Sequence, residues 1–380
     1  MIEKKTDTSS KPSILTMTSN DVGINYGPAV HYLELWNEVA DLDPGLHIRG
    51  MAPSWSGAGP IIQPNFSLRN FRVYIPKIRQ LLWDLICAGK ILVAKEEVIY
   101  IRNSSMHLAT LAALKIRQKK FLAVELNGLT IPDAQSRGSQ NFFTAVSNFC
   151  EVNLIKRAQV IFSVTEKIGE YARTLNPTAR HVHVENGVSK KFFSKRQEID
   201  RKQGREIIGI YVGTFTAWDG ASQIRTLARS RQDVRFLMIG DGGLRNTIEK
   251  DAPGNMEFVG RLPYRDLPEQ YSRADFAIVL YEDERHKKLG SSPLKIREYL
   301  ASRLPIFTST ASGTELVEDI DVGYRSKEGS VTDFNKFLSK IDHYRTTYSA
   351  VSHTLEEQHS WSTVARLTLD ALTSEFRRHR

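Results

Sequence analysis

The segment Gly290-Ser-Ser-Pro-Leu-Lys-Ile-Arg-Glu-Tyr-Leu-Ala301 joins a short polar turn to a helical pattern, and it predicts a helix that begins at Pro293. Proline suits the first helical position because it has no N–H to leave unpaired and its φ is already helical. Ser291 and Ser292 stand where N-cap residues occur. The unpaired N–H groups and the macrodipole of such a helix start favour an anion, most often a phosphate. Lys295, in the first turn, adds a full positive charge to this predicted anion site.

Glu298 follows Lys295 by three residues and lies one turn along the same helix face. A carboxylate there is poorly placed for a phosphate but well placed for the hydroxyl groups of a sugar attached to it. We therefore predict that Glu298 and the helix start from Ser291 through Pro293 to Leu294 bind a phosphorylated sugar compound. A capped helix with a solvated lysine and glutamate explains the same residues equally well.

The run Ser292-Pro-Leu-Lys-x-x-Glu-Tyr-x-Ala301, followed by Pro305-Ile-Phe and Gly313, resembles the donor-site motif of bacterial family 4 glycosyltransferases. Other segments resemble, in the family's order, two acceptor-domain strands, the interdomain segment and three donor-domain strands: Val98–Arg102, Val124–Gly128, Val184–Val188 with Phe192, Ile210–Gly220, Phe236–Gly242 and Met256–Pro263. This collinear resemblance covers nearly the whole chain. It implies the GT-B fold, in which two Rossmann-like domains face each other across a nucleotide-sugar.

The length and composition are typical of a soluble protein with two domains. A chain of 380 residues is long enough for two hydrophobic cores, and its net charge of +9 favours acidic partners such as phosphorylated substrates or anionic membranes. Cys87 and Cys150 are far apart and lack metal-ligand spacing, which fits a reducing compartment. Residues 1–12 are polar and no long uncharged apolar run follows, so we predict neither a signal peptide nor a membrane span.

Short apolar strands alternate with helical patterns through both halves of the chain, which predicts two doubly wound α/β domains with parallel sheets. We predict an acceptor-binding domain at residues 1–188, a nucleotide-sugar-binding domain at 189–360 and a last helix at 361–380. The resemblance implies that this helix crosses back onto the first domain. Residues 131–140 are predicted to be a loop.

The predicted first strand, Ser13–Met17, leads through a loop with two glycines into a helical pattern, as in the opening of a Rossmann-like unit. The loop lacks a G-x-G-x-x-G fingerprint, so no dinucleotide cofactor is predicted. The resemblance places Gly23, Tyr26 and Gly27 toward the cleft and the acceptor, although a tight turn with positive φ explains either glycine alone. Asn127 follows a strand at the sheet edge where ligands bind, and the resemblance places this position near the donor sugar.

Sugar transfer from a nucleoside diphosphate requires positive charge near the leaving diphosphate. Many relatives have an arginine and a lysine in the loop after the first donor-domain strand. Here that loop, which begins at Gly213 and Thr214, contains no basic residue. Lys295 is therefore our first candidate for the missing charge, and Arg261, which follows a predicted strand, is the second.

A second departure from the family concerns the carboxylate near the donor sugar. Many retaining relatives carry a Glu-x7-Glu motif that ends at the position of Glu298, but Gly290 stands where its first glutamate would be. Glu282, Asp283 and Glu284 follow the predicted strand Phe276–Leu280 at the same sheet edge. One of them is expected near the sugar, and Glu282 is our candidate, although the sequence does not select among the three. No Asp-x-Asp motif stands at a strand end, and neither a metal nor another cofactor is expected.

The segment Pro76–Val93 has apolar residues at the spacing of one helix face, flanking basic residues, and Trp83 outside the apolar stripe. A basic amphipathic helix with such a tryptophan can lie in a membrane interface. A helix that packs on its own domain explains the stripe more simply. The resemblance favours the membrane, because relatives act on lipid-linked acceptors, and we expect a cytoplasmic protein attached peripherally to the anionic inner membrane.

Taken together, these patterns predict a glycosyltransferase that moves a hexose from a UDP- or GDP-sugar to a glycan acceptor. The resemblance implies a lipid-linked acceptor, a role in bacterial surface polysaccharide synthesis and retention of configuration. A sugar-nucleotide epimerase of similar fold and a non-catalytic glycan-binding module are the alternatives. Nucleic acid is not an expected partner, because basic residues are not clustered with aromatic ones.

Overall fold

The computed structural model describes residues 11–24, 26–72, 78–103, 107–136, 141–193, 206–216, 220–281, 290, 292–311 and 313–380. Two residues of the predicted site, Glu282 and Ser291, lie outside these ranges. Within the ranges the chain forms two α/β domains around a seven-stranded and a six-stranded sheet, and every strand pairing is parallel. The prediction of two doubly wound parallel domains is confirmed.

The first sheet has the strand order β3-β2-β1-β4-β5-β6-β7. Its strands in chain order, β1 to β7, are Ile14–Thr18, Ile48–Ser54, Ser67–Arg72, Val98–Asn103, Phe121–Leu126, Val160–Ser163 and Arg180–His183. The accompanying helices that the structure describes, α1 to α7, are Gly27–Leu42, Arg79–Leu92, Leu108–Ile116, Thr130–Ser136, Phe142–Arg157, Glu166–Leu175 and Lys190–Phe193.

The second sheet has the strand order β10-β9-β8-β11-β12-β13. Its strands, β8 to β13, are Ile207–Thr214, Val234–Asp241, Met256–Gly260, Phe276–Val279, Ile306–Ser309 and Gly323–Ser326. The helices of the described part after β8, numbered α8 to α15, are Ala221–Ser230, Arg245–Lys250, Leu267–Arg273, Leu294–Ala301, Glu315–Asp319, Val331–Ser339, Ile341–His359 and Trp361–Arg378.

Each sheet reverses its strand order at one central strand. In the first sheet β1 lies between β2 and β4, and in the second sheet β8 lies between β9 and β11. Connections leave such a strand toward opposite sides of the sheet, so a crevice opens beyond its carboxyl end, and ligands of open α/β sheets bind there. The topology therefore places one candidate binding edge on each domain.

Both faces of the first sheet are covered by helices. Neighbouring residues of a strand point to opposite faces. Ile99 of β4 accordingly packs in the same cluster as Trp83 of α2 and Leu154 of α5, whereas the next residue, Tyr100, packs with Trp36 of α1 on the other face. These near-continuous apolar strands are typical of a parallel sheet that is buried on both sides.

The last two helices connect the domains. Tyr348 and Leu355 of α14 are buried in the core of the second domain. After a short bridge between residues 188 and 360, Trp361 and Phe376 of α15 are buried beside Trp36 in the core of the first domain. Helix α15 therefore packs against α1 and supplies part of the first domain's core.

Two local predictions are wrong, and one strand was not predicted. Helix α11 begins at Leu294, because Pro293 keeps an extended backbone at the N-cap position. Residues of the predicted loop 131–140 lie in helix α4, whose first N–H, on Thr130, donates to the buried Glu151 of α5. Strand β3 was not predicted, because Ser67–Arg72 is an edge strand with alternately exposed polar residues and no apolar run.

Helix α2 is turned the opposite way from the prediction. Trp83, predicted to lie off the buried stripe, is only 2% exposed and packs against Trp55 and Phe71. The stripe residues Leu81 and Leu85 are 47% and 53% exposed. The buried face is set by Trp83 together with the start of α3, because the buried carboxylate of Asp84 accepts from two N–H groups of that helix. Helix α2 therefore packs on its own domain, mainly through the face that carries Trp83 and Cys87, and Ile86 of the predicted stripe packs against the same core.

Candidate active site between the two domains

A cavity of about 550 Å³, here called the interdomain cavity, lies between the carboxyl edges of the two sheets. Among the predicted site residues that the structure describes, all except Gly23 line it: Tyr26, Gly27, Asn127, Gly213, Thr214, Arg261, Ser292, Pro293, Leu294, Lys295 and Glu298. The sequence prediction and the geometry therefore agree on which segments converge, although they do not agree on what each residue does there.

The two glycines of the first loop are required by space and not by backbone conformation. Neither Gly23 nor Gly27 has a positive φ, so the explanation by a strained turn is wrong for both. A Cβ atom on Gly23 would stand 2.7 Å from the Ser56 hydroxyl, outside the cavity. A Cβ atom on Gly27 would stand 3.2 Å from Leu294, at the point where α1 meets α11 across the cleft.

Ser292 holds the interdomain segment and does not cap α11. Its hydroxyl accepts from the Asn186 N–H at 2.9 Å, and its carbonyl accepts from the Asn186 side-chain amide. No side chain caps α11. The first N–H groups of α11 therefore have no side-chain acceptor at the N-cap, and they remain available for an anion in the cavity.

Lys295 places its ammonium group at the end of strand β8. The Nζ atom lies 5.3 Å from the ring centre of Tyr211 and 5.6 Å from that of Tyr281, which is within cation–π range. A Cβ atom on Gly213 would stand 2.7 Å from Nζ, so this glycine gives the ammonium group its space. The lysine thus brings positive charge to the loop that has no basic residue of its own in the sequence.

Glu298 is buried in the wall of the cavity, where its carboxylate accepts from the Tyr271 hydroxyl at 2.9 Å. Burial raises the pKa of Glu298 to about 7, and the hydrogen bonds and the charge of Lys295 only partly oppose this. Arg261, by contrast, lies on the cavity rim with about half of its side chain exposed, 3.6 Å from the carboxylate of Asp241. Lys295, whose ammonium group lies over the end of β8 beside the cavity, is therefore a better candidate than Arg261 for the group that meets a diphosphate.

A buried polar cluster on the first domain faces the same cavity, and sequence reasoning missed it. Its centre is the carboxylate of Glu125 at the end of β5. Tyr100 donates to it at 2.7 Å, the Nε atom of Arg102 donates at 3.1 Å, Nε2 of His31 lies 2.7 Å away, and the amide of Asn127 also donates. Burial would raise the pKa of Glu125, but the charges of His31 and Arg102 hold it well below its usual range.

His31 connects this cluster to the second domain. Its Nδ1 atom lies 2.5 Å from the side-chain oxygen of Asn186, which in turn is bonded to Ser292. Each ring nitrogen of His31 thus lies close to a side-chain oxygen, one on Glu125 and the other on Asn186. A continuous chain of polar contacts thus runs from Glu125 through His31 and Asn186 to the residue that precedes α11.

A weak sequence signal for this cluster did exist. Arg102 and Glu125 are charged residues near the carboxyl ends of otherwise apolar strands, and the register of the parallel strands β4 and β5 places them side by side. His31 gave no signal, because a single histidine on a helix is unremarkable until the helix is placed. Among the described residues, no group of three or more histidine, cysteine, aspartate or glutamate side chains could hold a metal ion.

Residues 208–341 match the family model of glycosyl transferases group 1. The matched segment, here called the group 1 segment, spans most of the second domain. No curated protein matches the chain by sequence. The Arg261 loop, helix α11 and all of strand β8 except its first residue lie within the group 1 segment, and these elements form one wall of the interdomain cavity. The prediction of a glycosyltransferase is thereby confirmed.

Solved structures share the fold of nearly the whole chain, including both domains that enclose the interdomain cavity. A sucrose-phosphate synthase from Thermosynechococcus elongatus has a TM-score of 0.77 at 15% identity, over 96% of this chain and 100% of that one. The Anabaena protein HepE in complex with UDP-glucose has a TM-score of 0.72 at 15% identity, over 96% and 100%. WaaG, a glycosyltransferase involved in lipopolysaccharide biosynthesis, has a TM-score of 0.69 at 13% identity, over 94% and 99%. These similarities confirm the GT-B fold.

Proposed function

We propose that the chain transfers a hexose from a UDP- or GDP-sugar to a glycan acceptor, and that the nucleotide-sugar binds in the interdomain cavity. The observation that carries this proposal is the convergence of an uncapped helix start, the Lys295 ammonium group and the glycine-lined end of β8 on one side of that cavity. Partial positive charge, a full positive charge and room for close backbone approach are the features that a diphosphate requires.

The residues have distinct proposed roles. The diphosphate lies against the N–H groups of Leu294 and Lys295, with the lysine ammonium group meeting the charge that develops on the leaving group. Glu298, one turn deeper, binds hydroxyl groups of the nucleotide-sugar. Asn127, whose amide is oriented by Glu125, faces the sugar from the first domain. Glu282 remains a proposed neighbour of the sugar that lies outside the described residues.

The choice of UDP over GDP is open to a direct test, and two HepE structures that contain UDP or UDP-glucose favour UDP as the first nucleotide to try. Calorimetric titration with UDP and GDP is expected to show binding of one of them. Incubation of the preferred nucleotide-sugar with a panel of glycan acceptors should then release the nucleoside diphosphate only when an acceptor is present. Failure of both nucleotides to bind would contradict the proposal.

The same experiment separates the two alternatives. A sugar-nucleotide epimerase would convert the nucleotide-sugar without any acceptor. A glycan-binding module would bind the acceptor but no nucleotide. We further propose that configuration at the anomeric carbon is retained, which rests on the family resemblance. Nuclear magnetic resonance of the product tests this, since an inverted anomeric centre would contradict it.

We also propose that the acceptor is lipid-linked, that the product belongs to a bacterial surface polysaccharide, and that the protein binds peripherally to the anionic inner membrane. What supports this is an exposed apolar surface on three helices of the first domain that pack side by side, α2, α3 and α5. Its large side chains are Ile78, Leu81, Leu85, Leu108, Phe142, Phe143 and Phe149. Arg79, Lys115 and Lys156 add positive charge to the same helices. No helix in the described part of the chain is both long and apolar enough to cross a membrane.

A further inference from the structure

Arg102 is a buried cation at the carboxyl edge of the first sheet. Its side chain is 4% exposed, and it lies directly beside Glu125 in the register of strands β4 and β5. The Nε–H group donates to the Glu125 carboxylate at 3.1 Å. The side chain also lines the interdomain cavity, opposite the wall that carries Lys295. The fold therefore holds a guanidinium group at the cleft in a fixed orientation.

Most of the hydrogen-bonding capacity of this guanidinium group is unused. Among the described residues, only the Nε–H group has an acceptor, and the two terminal NH2 groups donate to no protein oxygen. Neither terminal nitrogen is among the fully buried unpaired atoms, so both remain accessible from the cavity that Arg102 lines. The two terminal groups form a planar fork that matches the two oxygens of a phosphate or a carboxylate. The geometry thus leaves a bidentate anion-binding group at the cavity wall.

The positive charge of Arg102 is also incompletely neutralised. Glu125 is the carboxylate that it contacts, but Glu125 also accepts from Tyr100 and from the amide of Asn127. Among the described residues, Tyr26 and Tyr100 are further ionisable groups near Arg102. Burial raises the pKa of Tyr26 to about 12 and that of Tyr100 well above its usual value, so neither supplies a negative charge. The carboxylate that faces Arg102 is therefore shared among several donors, which leaves part of the guanidinium charge for a ligand.

We infer that Arg102 binds an anionic oxygen group of a substrate, a phosphate or a carboxylate, from the first-domain side of the interdomain cavity. This inference rests on the proposed function and extends it, because it adds a substrate contact on the domain that does not carry the group 1 motif. The anionic group has two sources, the diphosphate of the donor or an anionic group of the acceptor. In either case Glu125 orients the guanidinium group and Arg102 itself contacts the substrate.

The first part of the test concerns the donor. UDP and uridine are titrated into the parent protein and into Arg102→Gln and Arg102→Lys variants. If Arg102 holds the diphosphate, UDP binding becomes about 10- to 100-fold weaker in Arg102→Gln, and uridine binding does not change. Arg102→Lys keeps the charge but loses the fork, so its UDP affinity falls between those of the parent and Arg102→Gln.

The second part concerns the acceptor. Inorganic phosphate is titrated into each protein after saturation with UDP. If Arg102 holds an anionic group of the acceptor, phosphate binds to the UDP-saturated parent, Arg102→Gln loses this binding by about 10- to 100-fold, and UDP affinity is unchanged. Either pattern supports the inference, and the two patterns distinguish the source of the anion.

Arg49→Gln is the matched control. Arg49 also lies on a strand of the first sheet and also donates to a buried glutamate, Glu96, at 2.8 Å, but it does not line the cavity. Equal UDP and phosphate affinities in the Arg102→Gln, Arg102→Lys and Arg49→Gln variants would overturn the inference. If the parent binds no nucleotide but binds phosphate through Arg102, the proposed function fails and the anion site stands.

Discussion

At the scale of single residues, Lys295 carries the positive charge that lies at the end of β8 on the second-domain wall of the cavity. We predict that Lys295→Ala lowers kcat by about 2–4 kcal/mol of transition-state stabilisation, by analogy with the loss of one oxyanion donor. Donor binding should weaken less, because only an interaction that strengthens as charge develops accelerates the chemical step. Steady-state kinetics at saturating donor and calorimetry of donor binding measure the two effects separately.

Arg261→Ala is the companion variant for this measurement. Arg261 is about half exposed and lies near Asp241, so its removal should change kcat little. A near-normal kcat for Lys295→Ala with a collapse for Arg261→Ala would transfer the role to Arg261. A near-normal kcat for both Lys295→Ala and Arg261→Ala would mean that other groups stabilise the leaving diphosphate.

Glu298 makes a separate prediction about stability and pH. Its pKa is about 7 in the folded protein against 4.5 ordinarily, so the folded state binds more protons between these values. The stability of the parent therefore falls as pH rises from about 4.5 to about 7, by an amount on the order of 3 kcal/mol from this residue. Glu298→Gln cannot ionise, so its melting temperature relative to the parent should rise from pH 5 to pH 8.

The difference between variant and parent cancels the contribution of Glu151, whose pKa is also raised by burial. The pKa of Glu34 is raised by burial and, to a smaller extent, by the charge of Glu298, so the difference also contains the part of the Glu34 shift that Glu298 causes. Glu269→Gln, at an exposed position on α10, serves as the control and should show no such trend. A melting-temperature difference that stays constant between pH 5 and pH 8 for Glu298→Gln would mean that the carboxylate is already ionised at pH 5.

The second-domain wall of the cavity could be predicted from the sequence more fully than the first-domain wall, where Tyr26, Gly27 and Asn127 were predicted but His31 and Arg102 were not. Lys295, Glu298 and Gly213 belong to contiguous motifs, and local patterns suffice to recognise such motifs. His31 and Arg102, in contrast, belong to different elements and meet only because β4 pairs with β5 and α1 covers the sheet above them. Their significance depends on strand register and helix placement, which are properties of the assembled sheet and not of any local stretch.

At the scale of secondary-structure elements, helix α2 shows why an amphipathic pattern does not reveal which side faces the protein. The helix has two apolar faces. The face with Trp83 and Ile91 packs into the core, because Trp83 packs against Trp55 and Phe71. Leu81 and Leu85 were left exposed. An exposed apolar face beside basic residues is typical of a helix that rests on a membrane surface.

We predict that the double variant Leu81→Asp with Leu85→Asp abolishes sedimentation with vesicles that contain anionic lipid. The variant loses two leucine side chains that the lipid would bury, and it gains two negative charges that the anionic lipid repels. Together these changes should weaken vesicle binding at least about 100-fold. High salt should weaken binding of the parent as well, because surface charges are screened.

Leu367→Asp is the matched control for the vesicle experiment. Leu367 is 49% exposed, much as Leu81 and Leu85 are, but it lies on α15 and outside the exposed apolar surface of α2, α3 and α5. The Leu367 variant should sediment like the parent. If the double variant also sediments like the parent, helix α2 does not contact the lipid.

At the scale of the whole molecule, Asn186 is the point where the polar contacts of both domains meet. We predict that Asn186→Ala lowers kcat while UDP binding stays within a few-fold of the parent. The proposed UDP contacts lie on the second domain alone, and the variant disturbs only how that domain is placed against the first domain. Small-angle scattering should show a wider distribution of interdomain distances. The physical reason is the loss of the side-chain contacts to His31 and to the Ser292 carbonyl, whereas the hydrogen bond from the Asn186 backbone N–H to the Ser292 hydroxyl remains.

Asn176→Ala provides a comparison within one domain. Asn176 donates to the carbonyls of Ile155 and Ala158, so this variant also removes buried hydrogen bonds, but all of them lie within the first domain. It should lower the melting temperature without a change in the scattering profile. If the two variants behave alike, Asn186 stabilises the fold and does not align the domains.

The placement of α15 has a consequence for how the chain folds while it is being synthesised. This helix emerges from the ribosome after every strand of both sheets, yet Trp361 and Phe376 complete the core around Trp36. The first domain, although translated first, must therefore wait for the second, which reverses the usual order of co-translational folding. A ribosome-stalled nascent chain that ends at residue 360 should be cut by protease in the first domain and resist cleavage in the second. Equal resistance of both domains would show that the first sheet folds without its last helix.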